Sequence, residues 1–337
     1  MCERLADIKE NDIWQQMPDI LIALLKDHTT STAKETHNIF WATDDYASLG
    51  EGYGYMDEIA PELITGEHGL TIVPRVLKDE SIQGERKRDR GEIFTPLWIV
   101  NSQLNLVDNA WFNRQDVFNV ENDDHTWTPT HEPIRFPDDA SKTWRDYVLD
   151  TRLEITCGEG PYLTSRYDPT TGELLPVHLR IGIVDRKLRI VSENTQSTGE
   201  WLKAAREALQ SSYGYEWQGD SLLLAREAIF YTWLEHFQAK FGPTKMPPEK
   251  SCKSAAYIIS WNTFQMDGLK CVVPCSCHDD VTRNLFGDET VTPCRGCQTG
   301  NIKTHNGKYC VIRDWRTKPT DAAHGTSKKM RFVELIK

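Results

Sequence analysis

Across 337 residues the chain carries 50 acidic and 39 basic side chains, a net charge of −11, with 39% hydrophobic and 10% aromatic residues. That length accommodates one large domain with appendages, or two domains, and the composition is that of a folded soluble chain. The acidic balance argues against a protein that grips DNA over its whole surface, since nonspecific affinity scales with phosphates neutralised; no apolar run is long enough to span a bilayer and no leader pattern stands out, so a cytoplasmic protein is expected.

Residues 1–90 read as a mainly helical region. The apolar run Ile20-Leu21-Ile22-Ala23-Leu24-Leu25 is flanked by Asp19 and Lys26, with Asp19 suited to cap its helix. Gly50-Glu51-Gly52-Tyr53-Gly54 has the composition of a nucleotide loop, but the polar, broken segment before it is no buried strand, so it reads as a turn. Two clusters offer a local basic face: Arg86-Lys87-Arg88-Asp89-Arg90 and Lys328-Lys329-Met330-Arg331. A solvated loop and a charged tail are the plainer readings of each.

From residue 91 onward the pattern becomes α/β. Phe94-Thr95-Pro96 ends a short strand and opens a helix toward Val107, with proline comfortable in the first turn. Residues 112–142 are polar and irregular. Leu153-Glu154-Ile155-Thr156 then reads as a short buried strand running into the glycine turn Cys157-Gly158-Glu159-Gly160. Glycine lets a ligand lie against the backbone and takes positive φ without strain. An acid at such a turn repels phosphates and suits a ribose or an amino group, as in an adenosine bearing a cationic sulfonium.

Downstream, residues 180–184 look strand-like and residues 201–209 helical. Ser212-Tyr213-Gly214-Tyr215-Glu216 is a strand ending in an acid, and Asp220 is an apt cap for the helix that follows, which Gly242-Pro243 stops. Two acids compete to hold a ribose: Glu216, favoured for its strand-acid-helix context, and Asp185, which falls about 25 residues past the glycine turn, near the spacing of dinucleotide folds. Asp267-Gly268-Leu269 is either a third ligand motif or an ordinary Asp-Gly turn.

In this order, "FTP", "ITCGEGPYL" and "YGYEWQGDSLLLARE" resemble the methylase subunits of restriction–modification systems, which are S-adenosylmethionine-dependent, adenine-specific DNA methyltransferases. The resemblance covers roughly residues 90–270 and implies a Rossmann-like class I methyltransferase domain. It implies cofactor contacts from Phe94, Thr95 and Pro96 over the methionine end. Glu154, Thr156, Cys157, Gly158, Glu159 and Gly160 would form the loop, Glu216 and Trp217 would meet the ribose, and Asp267 and Leu269 would meet the adenine. DNA is then the expected substrate, and a specificity or restriction subunit the expected partner.

One part of that pattern is missing. Such enzymes hold the flipped base with Asn or Asp, two prolines and an aromatic ring. The Pro-Pro here, Pro247-Pro248, precedes Asp267 and lacks both flanking residues, and Asp314-Trp315 is a remote substitute without proline. No catalytic residue is assigned. Extruding a base costs a few kcal/mol, and no residue after Asp267 is an evident means of offsetting it. Transfer with a partner's help is therefore expected, and a catalytically silent cofactor-binding adaptor or sensor is the alternative.

The last stretch is rich in cysteine. Cys275, Cys277, Cys294 and Cys297 form a Cys-x-Cys and a Cys-x-x-Cys pair, with His278, His305 and Cys310 as alternatives. Thiolates at this spacing suit tetrahedral zinc, and a structural metal could supply the stability that the weak strands around them lack, with reduced surface cysteines or a disulfide as the alternatives. The expected organisation is a helical region (1–90), a Rossmann-like domain (91–270) and a small zinc-binding module (271–337).

Overall fold

The computed structural model describes residue 6 and residues 10–78, 83–84, 86–88, 95–138, 142–283, 286, 288–315 and 328–336. Two short helices lead, α1 (Glu10–Gln16) and α2 (Pro18–Leu25). Proline opens α2, while Asp19 sits in its first turn rather than at the cap, which is Met17. Helix α3 (Leu97–Phe112) starts directly after Pro96 and ends on Asn113 in a left-handed conformation, a state asparagine tolerates. A hairpin of β1 (Asn119–Glu121) and β2 (Trp127–Pro129) follows. Next comes α4 (Trp144–Leu149), whose Thr143 and Asp146 form a reciprocal capping box.

The centre of the molecule is a β-α-α-β-α-α-β succession. Strand β3 (Arg152–Glu154) is followed by α5 (Ile183–Asn194) and α6 (Thr198–Gln210). Strand β4 (Ser212–Glu216) is followed by α7 (Gly219–Phe241) and α8 (Glu249–Asn262), which lead to β5 (Thr263–Gln265). The three strands form one parallel sheet in the order β3-β4-β5, with Glu154 opposite Gly214 and Glu216 opposite Gln265. Parallel neighbours need long crossovers, and the helix pairs are those crossovers. Tight packing between α5 and α7, α6 and α8, and α5 and α6 buries Trp201, Trp233, Phe230 and Phe237.

The N-terminal helices share this core. Buried Arg226 of α7 donates to the carbonyls of Lys26, Ser260 and Thr263, at 3.1, 3.1 and 2.8 Å, and also to that of Leu24. It thereby binds the end of α2 to α8 and β5. A second buried ionic group lies at the start of α7. Asp220 is not the cap, a position held by Gln218. It accepts from Tyr46 Oη at 2.8 Å and Lys78 Nζ at 3.0 Å and pairs with Arg86. Arg86 also reaches Asp45 at 2.7 Å. The first basic cluster is therefore no surface feature at Arg86, which is buried; Asp89 and Arg90 lie outside the described residues.

Residues 180–184 are not a strand. Val184, Leu188 and Val191 carry a helical apolar stripe, and α5 begins at Ile183. The segment docks end-on instead, with Ile183 N and Val184 N donating to the Tyr162 and Leu163 carbonyls. Beyond β5 the chain forms a hairpin of β6 (Asp280–Arg283) and β7 (Glu289–Thr292), helix α9 (Arg295–Thr299), and a second hairpin of β8 (Val311–Asp314) and β9 (Lys328–Arg331). Cys271, Val273, Cys310, Ile312, Phe332 and Val333 form a small apolar cluster with Tyr215, Phe264 and Met266, seating this part against the sheet.

Candidate functional sites: a strand-end loop and a cysteine–histidine cluster

The carboxyl ends of β3, β4 and β5 carry the three acidic segments singled out in the sequence. After β3 the backbone turns sharply through positive φ at Thr156 (45°), Gly158 (52°) and Gly160 (78°). The Cys157 amide donates to Tyr215 O at 2.8 Å, which fixes the turn to β4. A Cβ built on Gly158 meets no atom within 4 Å, so the outer face of the turn is open space. A ligand has access to the backbone there.

Glu216 stands beside this opening. Its carboxylate accepts from the amides of Gly158 and Trp217, at 2.7 and 2.8 Å, and more weakly from Gln218 at 3.3 Å. Burial pushes its carboxyl above the usual range, against the lowering effect of those amides. Glu216 thus ties β4 to the glycine turn, and a diol there would share or displace the Gly158 bond. Trp217 donates its indole N–H to Tyr55 Oη at 2.9 Å.

Other predicted contacts are occupied by the chain itself. Glu154 is buried and accepts from Tyr162 N and Leu163 N, at 3.2 and 2.8 Å. Burial raises its carboxyl to about 8. Glu159 is also buried; it accepts from Arg75 N at 2.7 Å and from Tyr167 Oη, so it faces inward and anchors the N-terminal region. Asp267 caps its own turn by accepting from Leu269 N and Lys270 N at 2.9 and 3.2 Å, while Leu269 is 86% exposed. Cys157 is buried and Thr156 exposed. Thr95 and Pro96 are half-buried at the start of α3, and Phe94 lies outside the described residues. The rival acid Asp185 is buried in α5, held by Ser165 N at 3.0 Å and His236 Nε2 at 3.0 Å, away from the glycine turn.

The substitutes for the base loop do other work. Pro247-Pro248 precedes the first turn of α8. Trp315 is packed against the main core, with its indole N–H on Asn262 Oδ1 at 2.7 Å.

The second site is the cluster Cys277, Cys294, Cys297 and His305, whose ligand atoms all lie within 4.8 Å of one another. Cys277 Sγ is 3.5 Å from Cys294 Sγ, 3.6 Å from Cys297 Sγ and 3.5 Å from His305 Nδ1. His305 Nδ1 is 3.5 Å from Cys294 Sγ and 3.6 Å from Cys297 Sγ. Tetrahedral zinc with bonds of about 2.3 Å to sulfur and about 2.0 Å to nitrogen has edges of roughly 3.5–3.8 Å. The cluster can therefore hold a metal ion and suits zinc, and its sulfurs are too far apart for a disulfide.

Local structure explains the ligand set. Gly296 separates Cys294 and Cys297, and a Cβ there would lie 2.5 Å from His305 Nδ1, so glycine is what lets the histidine close on the knuckle. Cys294 Sγ also accepts from Asn306 N at 3.4 Å. Cys275, expected as a ligand, is replaced by His305. A left-handed turn at Cys275 (φ 59°) leaves its thiol exposed and outside the cluster. Cys310 is in the apolar cluster, its thiol 3.3 Å from Gln265 O, and His278 bonds to Ser276 O at 2.9 Å.

No protein-family model, no curated protein and no solved structure matches this chain.

Proposed function

We propose that this chain is the cofactor-binding part of an S-adenosylmethionine-dependent DNA adenine methyltransferase of the modification-subunit type, and that it acts with a partner polypeptide. The observation that carries the reading is the convergence of the glycine turn, Glu216 and Asp267 on the carboxyl ends of three adjoining parallel strands. That is where open α/β sheets receive their ligands. The open face at Gly158 and the acid beside it suit an adenosine: backbone against the ligand, carboxylate toward the ribose hydroxyls.

Two features support a partner. The residues after Asp267 build the cysteine–histidine cluster rather than a base-holding loop, and Trp315 is committed to the core. The outer edge of β3 pairs with no strand among the described residues. An unpaired edge is a site for strand addition. The cluster would hold a structural zinc, whose place is to stabilise the exposed β6–β7 hairpin. Trp315's role in packing equally favours the second reading, a catalytically silent cofactor-binding adaptor.

The test is transfer of a tritiated methyl group to unmethylated genomic DNA, with the chain alone and with a candidate specificity or restriction subunit. Incorporation that depends on the second chain supports the proposal. Cofactor binding without incorporation under any pairing supports the adaptor. Rapid incorporation by the chain alone shows that a base-holding loop lies in these residues unrecognised.

A further inference from the structure

The second basic cluster of the sequence, Lys328-Lys329-Met330-Arg331, forms strand β9, and its register on β8 sorts its charges. Arg313 lies opposite Lys329, and Val311 opposite Arg331. Side chains alternate across a strand, so Arg313, Lys329 and Arg331 share one face of the hairpin, while Ile312 and Met330 on the other face join the apolar cluster. The cationic face lies over aromatic rings. The Arg313 guanidinium is 4.9 Å from the Trp261 ring centre and 5.5 Å from that of Tyr257, and Lys329 Nζ is 4.9 Å from Trp261. Arg331 is 5.3 Å from the Tyr309 ring.

Tyr257 is 39% exposed, and Lys329 and Arg331 are exposed. The neighbouring helix α8 adds Lys253, one turn before Tyr257, held by Asp19 and Glu249 at 2.6 and 2.7 Å. Glu334 bonds Arg331 at 3.0 Å, and Lys329 makes no ion pair among the described residues. His28, stacked 4.0 Å from Trp261, is held down to about 2 by burial first and then by the charges of Arg226, Lys26, Lys329 and Arg313. With Asp19, Glu249 and Glu334 beside Arg313, Lys329, Arg331 and Lys253, this region carries a small excess of positive charge on a chain of net charge −11.

We propose that the β8–β9 face, with Arg313 beside the exposed ring of Tyr257 and Lys329 and Arg331 along β9, binds single-stranded nucleic acid. Cations spaced along a strand track phosphates, and an exposed aromatic ring among them offers a base a stacking surface, the combination that sequence-tolerant single-strand binders use. An acidic peptide would satisfy the charges alone; the ring favours the nucleic acid. The inference does not depend on cofactor binding, because the glycine turn contributes no residue to this face.

The experiment is fluorescence anisotropy of a labelled 20-nucleotide oligothymidylate with the full zinc-loaded chain at 50 mM salt, repeated over a salt series. The proposal expects saturable binding, weakened about 10-fold or more by Lys329→Glu or Arg331→Glu. A Lys329→Gln variant should reduce the steepness of the salt dependence by about one phosphate contact. Tyr257→Leu, which leaves charge unchanged, should weaken binding about 5-fold or more. Zinc content and thermal melting of each variant check that the fold is retained. No binding to the oligonucleotide, unchanged binding in both charge-reversal variants, or tighter binding to a labelled polyglutamate peptide overturns the proposal. Full affinity in Tyr257→Leu overturns the role of the ring. Cofactor titration of the same variants should be unchanged, which separates failure here from failure of the methyltransferase reading.

Discussion

Removing one thiol from the cysteine–histidine cluster should release the hairpin it holds while leaving the sheet intact. The β6–β7 hairpin is exposed along its whole length, with Val281 and Val291 paired across it yet both in solvent. Few apolar contacts hold it, so a metal ion at the cluster would have to. Structural zinc contributes on the order of 10 kcal/mol or more in comparable modules. Loss of even an outer hydrogen-bond partner of a metal ligand weakens binding by about 10–100-fold, so loss of a ligand should exceed about 100-fold. Cys297→Ser is the cleanest change, because that thiol is exposed and contributes nothing to either apolar cluster. The assay is metal analysis after chelator-free purification, followed by competition with a chromogenic chelator and hydrogen exchange of residues 277–306. Wild type should hold about one zinc per chain. The variant should lose it under mild chelator and exchange rapidly in that segment, with the amides of β4 and α7 still protected. Wild-type protein without metal, or a variant that retains zinc as tightly, would refute the reasoning. Cys275→Ser should retain zinc, since Cys275 lies outside the set.

Three further outcomes follow from buried charge. Asp220→Ala leaves Arg86 and Lys78 without their shared carboxylate and should cost about 3–5 kcal/mol in urea unfolding, the usual result of breaking a buried pair. Although burial opposes it, the Lys78 and Arg86 charges hold the Asp220 carboxyl well below the usual range, so its contribution is present above the unfolded carboxyl's pKa and is lost as pH falls through the folded value. Glu154 has the opposite sign: its folded value of about 8 exceeds the ordinary 4.5, so the folded state holds the extra proton and stability falls as pH rises between those values. Denaturant unfolding across that window should show the decline in wild type and a shallower one in Glu154→Gln; a flat wild-type profile would contradict the burial argument.

The parts of the fold that local patterning dictates were legible in the sequence. The strand at Ser212–Glu216 and the helix after it stand out because an apolar stripe, a polar start and a Gly-Pro stop agree. The cysteine cluster was visible from its knuckle spacing. What was not legible depended on distant partners. Arg180 to Val184 has the composition of a strand, but the amides of Ile183 and Val184 are taken by the Tyr162–Leu163 turn, and a helix begins there. Asp220 looked like a cap because caps are local; its actual partners are Tyr46, Lys78 and Arg86, more than 130 positions away in sequence. His305 joins the cluster in place of Cys275 through a left-handed turn at Cys275 and the absence of a Cβ at Gly296. Neither feature has a spacing signature. Glu154, at the end of β3, and Glu159, in the glycine turn, stand in a segment that reads as a ligand loop, and only the structure reveals the Arg75, Tyr162 and Leu163 amides that occupy them.

Isothermal titration of the zinc-loaded chain with S-adenosylmethionine tests the central claim most directly. The account predicts a saturable heat with about one site per chain, weakened in Glu216→Gln by roughly 10-fold or more, as befits loss of a charged hydrogen bond worth about 1.5–3 kcal/mol. Gly158→Val, which places a side chain in the open space above the turn and strains its φ of 52°, should abolish it. A wild-type protein that gives no heat and no thermal shift with S-adenosylmethionine would contradict the account.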